Sequence, residues 1–199
     1  GALRFAPDRR YHEKMTTRLS VDLSGVPETL LLPLWGRALD ARSATPILGD
    51  RGALELVERL DLDTARLGHQ LNAYSSLYWA RRAHLLDGIV RSFTARHPGA
   101  LVVNLGAGLD TTFARVDDGA VRWADVDLPD VAALRHKLLP EGPRNRIVAG
   151  SLLEDEWITS LGARPGEPVL LLCGGVLFFF EDAQVRDLFR RLAARLPGA

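Results

Sequence analysis

The chain has 199 residues and a mass of 21.9 kDa, enough for one α/β domain with a substantial core. Its 25 basic residues balance its 25 acidic ones. No positive field therefore favours nucleic acid or a membrane surface, and a small-molecule partner is the better expectation. Cys173 is the single cysteine, which excludes an internal disulfide and a thiolate-rich metal site.

Residues 1–28 are polar and irregular and read as an arm or lid. The segment 29–41 has a helical pattern that Pro33 is expected to interrupt. Asp50 then stands where an N-cap would open a helix over 51–60. A longer helix is predicted over 70–97, with Leu71, Tyr74, Leu77, Tyr78, Leu85, Ile89 and Phe93 as its apolar stripe, and His97-Pro98-Gly99 ends it. These first 97 residues form a helical cap that contributes to a site, and residues 98–199 form the core domain.

Four short apolar runs follow, at 101–105, 121–125, 146–149 and 169–173, each of strand length. Helical pieces separate them at 111–116 and 131–139, with a turn near 152–157. An amphipathic helix over 185–196 carries Val185, Leu188, Phe189, Leu192 and Leu196. This alternation predicts an α/β fold, a Rossmann-like parallel sheet with helices on both faces. The chain stops where a further strand would begin, so the sheet is expected to be incomplete at its C-terminal side. Cys173, in an apolar run, reads as a buried small hydrophobe. Trp35, Trp79, Trp123 and Trp157 suit a core or an interface, which leaves a homo-oligomer open. With no leader pattern and no membrane-length apolar run, the sequence reads as cytoplasmic.

The local signal for chemistry is Leu101-Val-Val-Asn-Leu-Gly-Ala-Gly-Leu-Asp110. A buried strand runs directly into Gly106-Ala107-Gly108, where glycine permits a tight turn and close backbone approach to a ligand. Asp127 follows Gly106 by 21 residues, the place of a carboxylate that accepts from a ribose diol. A dinucleotide fingerprint wants a third glycine where Thr111 stands, and the Asp110 carboxylate would repel a pyrophosphate. The same carboxylate suits a sulfonium or an ammonium, which favours S-adenosylmethionine over a nicotinamide dinucleotide. The blander readings are a structural turn for the glycines and an N-cap at Asp127 for the helix opening at Pro129.

The segments 101–115, 121–131 and 170–189 resemble the leucine carboxyl methyltransferase superfamily, within it the polyketide O-methyltransferases of the tetracenomycin type. Residues 30–61 and 78–90 resemble the entry segment and arginine-bearing helix of the same enzymes. The resemblance implies a class I S-adenosylmethionine-dependent methyltransferase fold and an O-methyltransferase acting on a small polyketide-like or secondary-metabolite-like acceptor. It also implies roles for particular residues. Arg82 would meet the methionine carboxylate of the cofactor, Gly106, Ala107 and Gly108 would form the loop beneath the methionine, and Asp110 would lie beside it. Asp127 would hold the ribose hydroxyls, and Ser151 and Leu152 would line the adenine pocket. Gly174 would also border the cofactor, and Arg37 in the entry segment would approach it.

Three departures stand out against that family. His84 replaces the second arginine of the R-x-R-x-x-D pattern, Ser151 replaces an aspartate, and Gly174 replaces a glutamate. The last puts cofactor affinity in question. A protein carboxyl methyltransferase and a catalytically silent scaffold that keeps the fold are the alternatives. No catalytic base is assigned: His12, His69 and His84 are conceivable, and nothing in the sequence places them near an acceptor.

Overall fold

In the computed structural model, residues 28–60, 62–70 and 73–197 are described. Four helices come first: α1 (Glu28–Ala41), α2 (Arg51–Arg59), α3 (Thr64–Gln70) and α4 (Ala73–Arg96). The rest alternates, with β1 (Leu101–Leu105), α5 (Thr112–Val116), β2 (Arg122–Asp127), α6 (Pro129–Leu138), β3 (Asn145–Ala149), α7 (Glu156–Ser160), β4 (Val169–Leu172) and α8 (Asp182–Arg195). A short 3₁₀ turn at Leu177–Phe179 links β4 to α8.

The four strands pair in the order β3-β2-β1-β4, all parallel. Alternate residues of β1 face opposite layers. Leu101, Val103 and Leu105 pack with Trp157 and Ile158 of α7 and Leu188 and Leu192 of α8. Val102 packs on the other face with Val90 of α4, Val116 of α5 and Trp123. Helices thus cover both faces, as the alternation predicts. A separate cluster joins α1 and α2 to Leu109 and to Leu134 and Leu138 of α6, which docks the N-terminal helices against the glycine-loop end of the sheet.

Several local expectations are corrected. The first helix runs through Pro33 without a break. The helix α3 was not anticipated. The turn near 152–157 contains the short helix α7. Most of the apolar stripe foreseen on α4 points outward: Leu77, Tyr78, Leu85 and Ile89 are exposed, Phe93 is half-buried, the side chains of Leu71 and Tyr74 lie outside the described residues, and the buried face is Ala80, Ala83, Asp87, Val90 and Thr94. Small residues win that face because the helices approach closely. A Cβ on Gly36 of α1 would stand 2.6 Å from the Trp79 ring. Asp87 is buried there because an arginine meets it. On α8, Leu188 and Leu192 are buried, as is Leu196 at its C-cap, while Phe189 is exposed. Trp35, Trp123 and Trp157 are core residues. Cys173 lies just past β4 and is half-buried, not buried, and burial pushes its thiol pKa up, away from a reactive thiolate. Among the described residues no helix is long and apolar enough to cross a membrane.

Candidate functional site

The register aligns the carboxyl ends of the strands. Leu105 pairs with Val126, Asp127 with Ala149, and Asn104 with Leu172. The loops that follow therefore converge on one rim, where β1 and β4 diverge in chain order, and parallel sheets bind ligands at such a switch point. A cavity of about 390 Å³ opens there, within the size range of small-molecule sites.

Arg82, Gly106, Ala107, Gly108, Asp110, Asp127, Ser151, Leu152 and Gly174 all line this cavity. The sequence placed them on five different segments, and the fold brings them together. Arg37 lines it too. Gly106 and Gly108 have φ of +64° and +50°, in the left-handed region that disfavours a side chain. A Cβ at Gly106 would also stand 2.5 Å from the Cβ of Val176, so glycine is required there on two counts. The amides of Gly106 and Ala107 donate to the Val126 carbonyl at 2.9 and 3.2 Å, which turns the loop over the end of β2.

Asp127 is the last residue of β2, not a residue beyond it. Its Oδ2 accepts from the Gly108 amide at 2.7 Å and its Oδ1 from the Leu128 amide at 2.8 Å. The N-cap position of α6 belongs to Leu128, without a side-chain cap, and Pro129 opens the helix. Asp127 therefore serves the glycine loop and the cavity, not the helix as an N-cap. Burial pushes its pKa above the ordinary value, against the two backbone hydrogen bonds that favour the carboxylate.

Asp110 behaves oppositely. Burial raises its pKa, but Arg115, Arg37, a hydrogen bond with Thr112 and Arg135 outweigh that, so it is held below the usual carboxylate value. It is an ionised carboxylate on the cavity wall. Arg82 is half-buried, has no carboxylate partner among the described residues, and lies over the Tyr78 ring at 5.6 Å. Arg37 is largely committed elsewhere: its Nε donates to Asp50 at 2.9 Å and its Nη2 to the Leu109 carbonyl at 2.9 Å. The Ser151 hydroxyl accepts from the Leu153 amide at 3.2 Å and Leu152 is buried, so this pair shapes the wall beyond β3. A Cβ on Gly174 would meet its nearest neighbour, Leu86 Cδ1, at 3.6 Å, an ordinary contact.

Beneath the loop lies a buried polar network that sequence reasoning missed. Arg115 of α5 grips both oxygens of Asp87 at 2.8 and 2.9 Å and donates to Asp50 at 2.7 Å. Asp50 also caps α2 through the Ala53 amide at 3.0 Å and accepts from the Thr111 hydroxyl at 2.7 Å. On the β2 side, Asn104 Nδ2 donates to Asp110 and Asp125, each at 3.0 Å. Asp125 accepts from Trp123 Nε1 at 2.9 Å and pairs with Arg135 of α6. The signal for this network was present. Asn104 and Asp125 are polar residues inside buried apolar strands, and such residues have partners. The histidines are placed without a role: His69 and His84 are exposed and line no part of the cavity, and His12 lies outside the described residues.

The protein-family model described as leucine carboxyl methyltransferase matches residues 31–193. The chain belongs to the leucine carboxyl methyltransferase family. It is 36% identical over 179 residues to the tetracenomycin polyketide synthesis O-methyltransferase TcmP of Streptomyces glaucescens, covering 89% of this chain and 65% of the relative. It is 30% identical over 184 residues to the S-adenosyl-L-methionine-dependent methyltransferase dpfgK of Gibberella zeae, covering 86% and 62%. The chain thus spans just under two thirds of the length of these two relatives. A putative methyltransferase from Thermobifida fusca shares the fold, with a TM-score of 0.56 at 18% identity, over 87% of this chain and 66% of that one.

Proposed function

We propose that this member of the leucine carboxyl methyltransferase family is an S-adenosylmethionine-dependent O-methyltransferase acting on a small polyketide-like or other secondary-metabolite-like acceptor. The observation that carries the reading is that Asp110 and Asp127 line one cavity with the Gly106–Gly108 loop and Arg82, with the Gly108 amide donating to Asp127. Those groups match the cofactor part by part. The Asp127 carboxylate accepts from a ribose diol, Asp110 faces an ammonium, and Arg82 offers a carboxylate a bidentate cation. The left-handed glycine turn gives close access that a side chain would deny. Ser151 and Leu152 border the adenine, and Gly174 leaves the wall opposite without a carboxylate.

When bound, S-adenosylmethionine supplies an already activated methyl group. The chain's residues then have only to hold, orient and exclude water. Apolar groups do the excluding: Leu30, Pro33, Trp79, Leu86, Phe179 and Phe180 line the same cavity. The names of two relatives, an O-methyltransferase of tetracenomycin polyketide synthesis and an S-adenosylmethionine-dependent methyltransferase, support the same class. In this reading the first 97 residues act as a cap over the core formed by 98–199, within a cytoplasmic enzyme. Calorimetric titration of the full-length protein with S-adenosylmethionine tests the proposal; a folded sample that fails to bind would end it. Mass analysis after incubation with phenolic and carboxylic small molecules, against peptide acceptors, separates this reading from protein carboxyl methylation.

A further inference from the structure

The cavity is lined on its floor by a loop whose carbonyls also need partners. Arg135 supplies them from outside the cavity. It is buried at 2% exposure and is not one of the lining residues. Its Nη1 donates to the Gly108 carbonyl at 2.6 Å and to the Asp110 carbonyl at 3.1 Å. Its Nη2 pairs with Asp125, whose other oxygen accepts from Asn104 at 3.0 Å, and Asn104 in turn donates to the Asp110 carboxylate at 3.0 Å. The path from Arg135 through Asp125 and Asn104 to Asp110, and back through the Asp110 carbonyl, is a closed ring. It fixes both the backbone and the side chain of Asp110.

We infer that Arg135 is a positioning residue for the amino-acid half of the cofactor, an inference that rests on the methyltransferase reading above. Its contacts are one-sided. Both carbonyls it holds belong to the loop under the methionine, and the carboxylate it steers through Asp125 and Asn104 is Asp110. The ribose end has supports that Arg135 does not touch: Asp127 accepts from the Leu128 amide at 2.8 Å, and the Gly150 amide donates to the Asp127 carbonyl at 2.8 Å; only its contact with the Gly108 amide is shared with the loop. Removing the guanidinium therefore frees the Gly108 and Asp110 carbonyls and lets Asp110 turn, while Asp127 keeps its contacts with Leu128 and Gly150 and the wall at Ser151–Leu152 is untouched. A generic structural role would not discriminate between the two ends of one ligand.

The test uses two ligands that share the nucleoside and differ in the amino acid. S-adenosylhomocysteine carries the amino-acid arm, and methylthioadenosine lacks it. Dissociation constants for both are measured with the wild-type protein, R135M and R135K, together with the melting temperature of each without ligand. R135M is expected to weaken S-adenosylhomocysteine tenfold or more and to leave methylthioadenosine within about twofold. R135K keeps a cation against Asp125 but cannot bridge two carbonyls as a planar fork does, and it is expected to recover part of the loss. Equal weakening of both ligands, or of neither, in either variant overturns the inference. Should R135M fail to fold, R135K carries the same comparison. A wild-type protein that binds neither ligand overturns the methyltransferase reading and this inference together.

Discussion

The Asp50 carboxylate is fully buried and meets the Arg115 guanidinium at 2.7 Å, joining the N-cap of α2 to the first turn past the glycine loop. Arg37 donates to the same carboxylate oxygen at 2.9 Å. One acid therefore bridges two cations in a water-excluded place, and Asp87 supplies the second negative charge through Arg115. Removing one partner of a buried pair leaves uncompensated charge, at about 3–5 kcal/mol. D50A is expected to lose stability of that order in urea unfolding. D50N, which keeps the shape and some hydrogen bonding, is expected to lose less. Equal stability of D50A and the wild type would show that the pair contributes nothing.

The second prediction concerns Gly106. A left-handed conformation costs a side chain about 1–2 kcal/mol, and here a Cβ would also collide with Val176 at 2.5 Å. G106A is expected to abolish measurable S-adenosylmethionine binding. Gly99 is the control, since it has φ of +77° and nothing within 4 Å of a built Cβ. G99A is expected to lower stability by about 1 kcal/mol and to leave binding intact. Comparing the two variants by calorimetry separates backbone strain from damage to the site.

Gly174 gives a gain-of-function prediction. Its nearest neighbour would stand 3.6 Å from a new Cβ, so a side chain fits. G174E restores a carboxylate at the rim of the site, and S-adenosylmethionine binding is expected to tighten about tenfold, equal to ~1.4 kcal/mol. At Gly175 the outcome reverses, because φ is +151° and Arg82 Nη1 lies 3.0 Å from the built Cβ. G175E is expected to weaken binding.

Asp127 predicts a pH dependence of ligand binding. Its pKa is raised by burial, and a diol that donates two hydrogen bonds favours the ionised form. Affinity is therefore full above the raised pKa and falls as pH drops through it, a midpoint higher than that of an ordinary aspartate. Titrations of S-adenosylhomocysteine binding across the acidic range should show that loss in the wild type. D127N is expected to bind weakly and to lose the pH dependence.

Acceptor contact is predicted at the 3₁₀ turn after β4. Phe179 lines the cavity yet is 58% exposed, and its ring centroid lies 4.4 Å from that of Phe178. An acceptor seated on that wall buries the ring further, and covering an aromatic side chain is worth about 1.5–3 kcal/mol. F179A is expected to raise KM for a small aromatic acceptor roughly tenfold and to leave the cofactor dissociation constant unchanged. Steady-state kinetics with each substrate varied in turn would show the split.

Much of this architecture was legible in the sequence because apolar runs of strand length, each ended by glycine or a turn, leave few alternatives to a parallel sheet. The glycine turn and the place of Asp127 beside it were legible too, because both depend on backbone conformation and local spacing. What the sequence concealed depended on distance in the chain. Nothing local to Asp50 or Asp87 announces Arg115, which lies 65 and 28 residues away. The stripe on α4 misled because periodicity records which residues are apolar, not which neighbour comes close enough to demand alanine. Asn104 and Asp125 were visible as polar residues in buried strands, and a stricter demand that each have a partner would have led to the network.

The buried arginine ring also bears on how the site opens and closes. The amide of Gly108 is fixed to Asp127, its carbonyl to Arg135, and the elements on either side are pinned by Arg115. The turn is thus held from two sides, by a carboxylate on the cavity wall and by a guanidinium behind it. Deuterium uptake at the Gly108 amide should therefore be slower in the wild type than in D127N, which loses the carboxylate that holds it. Rigid before the cofactor arrives, the floor of the cavity need not be ordered by binding.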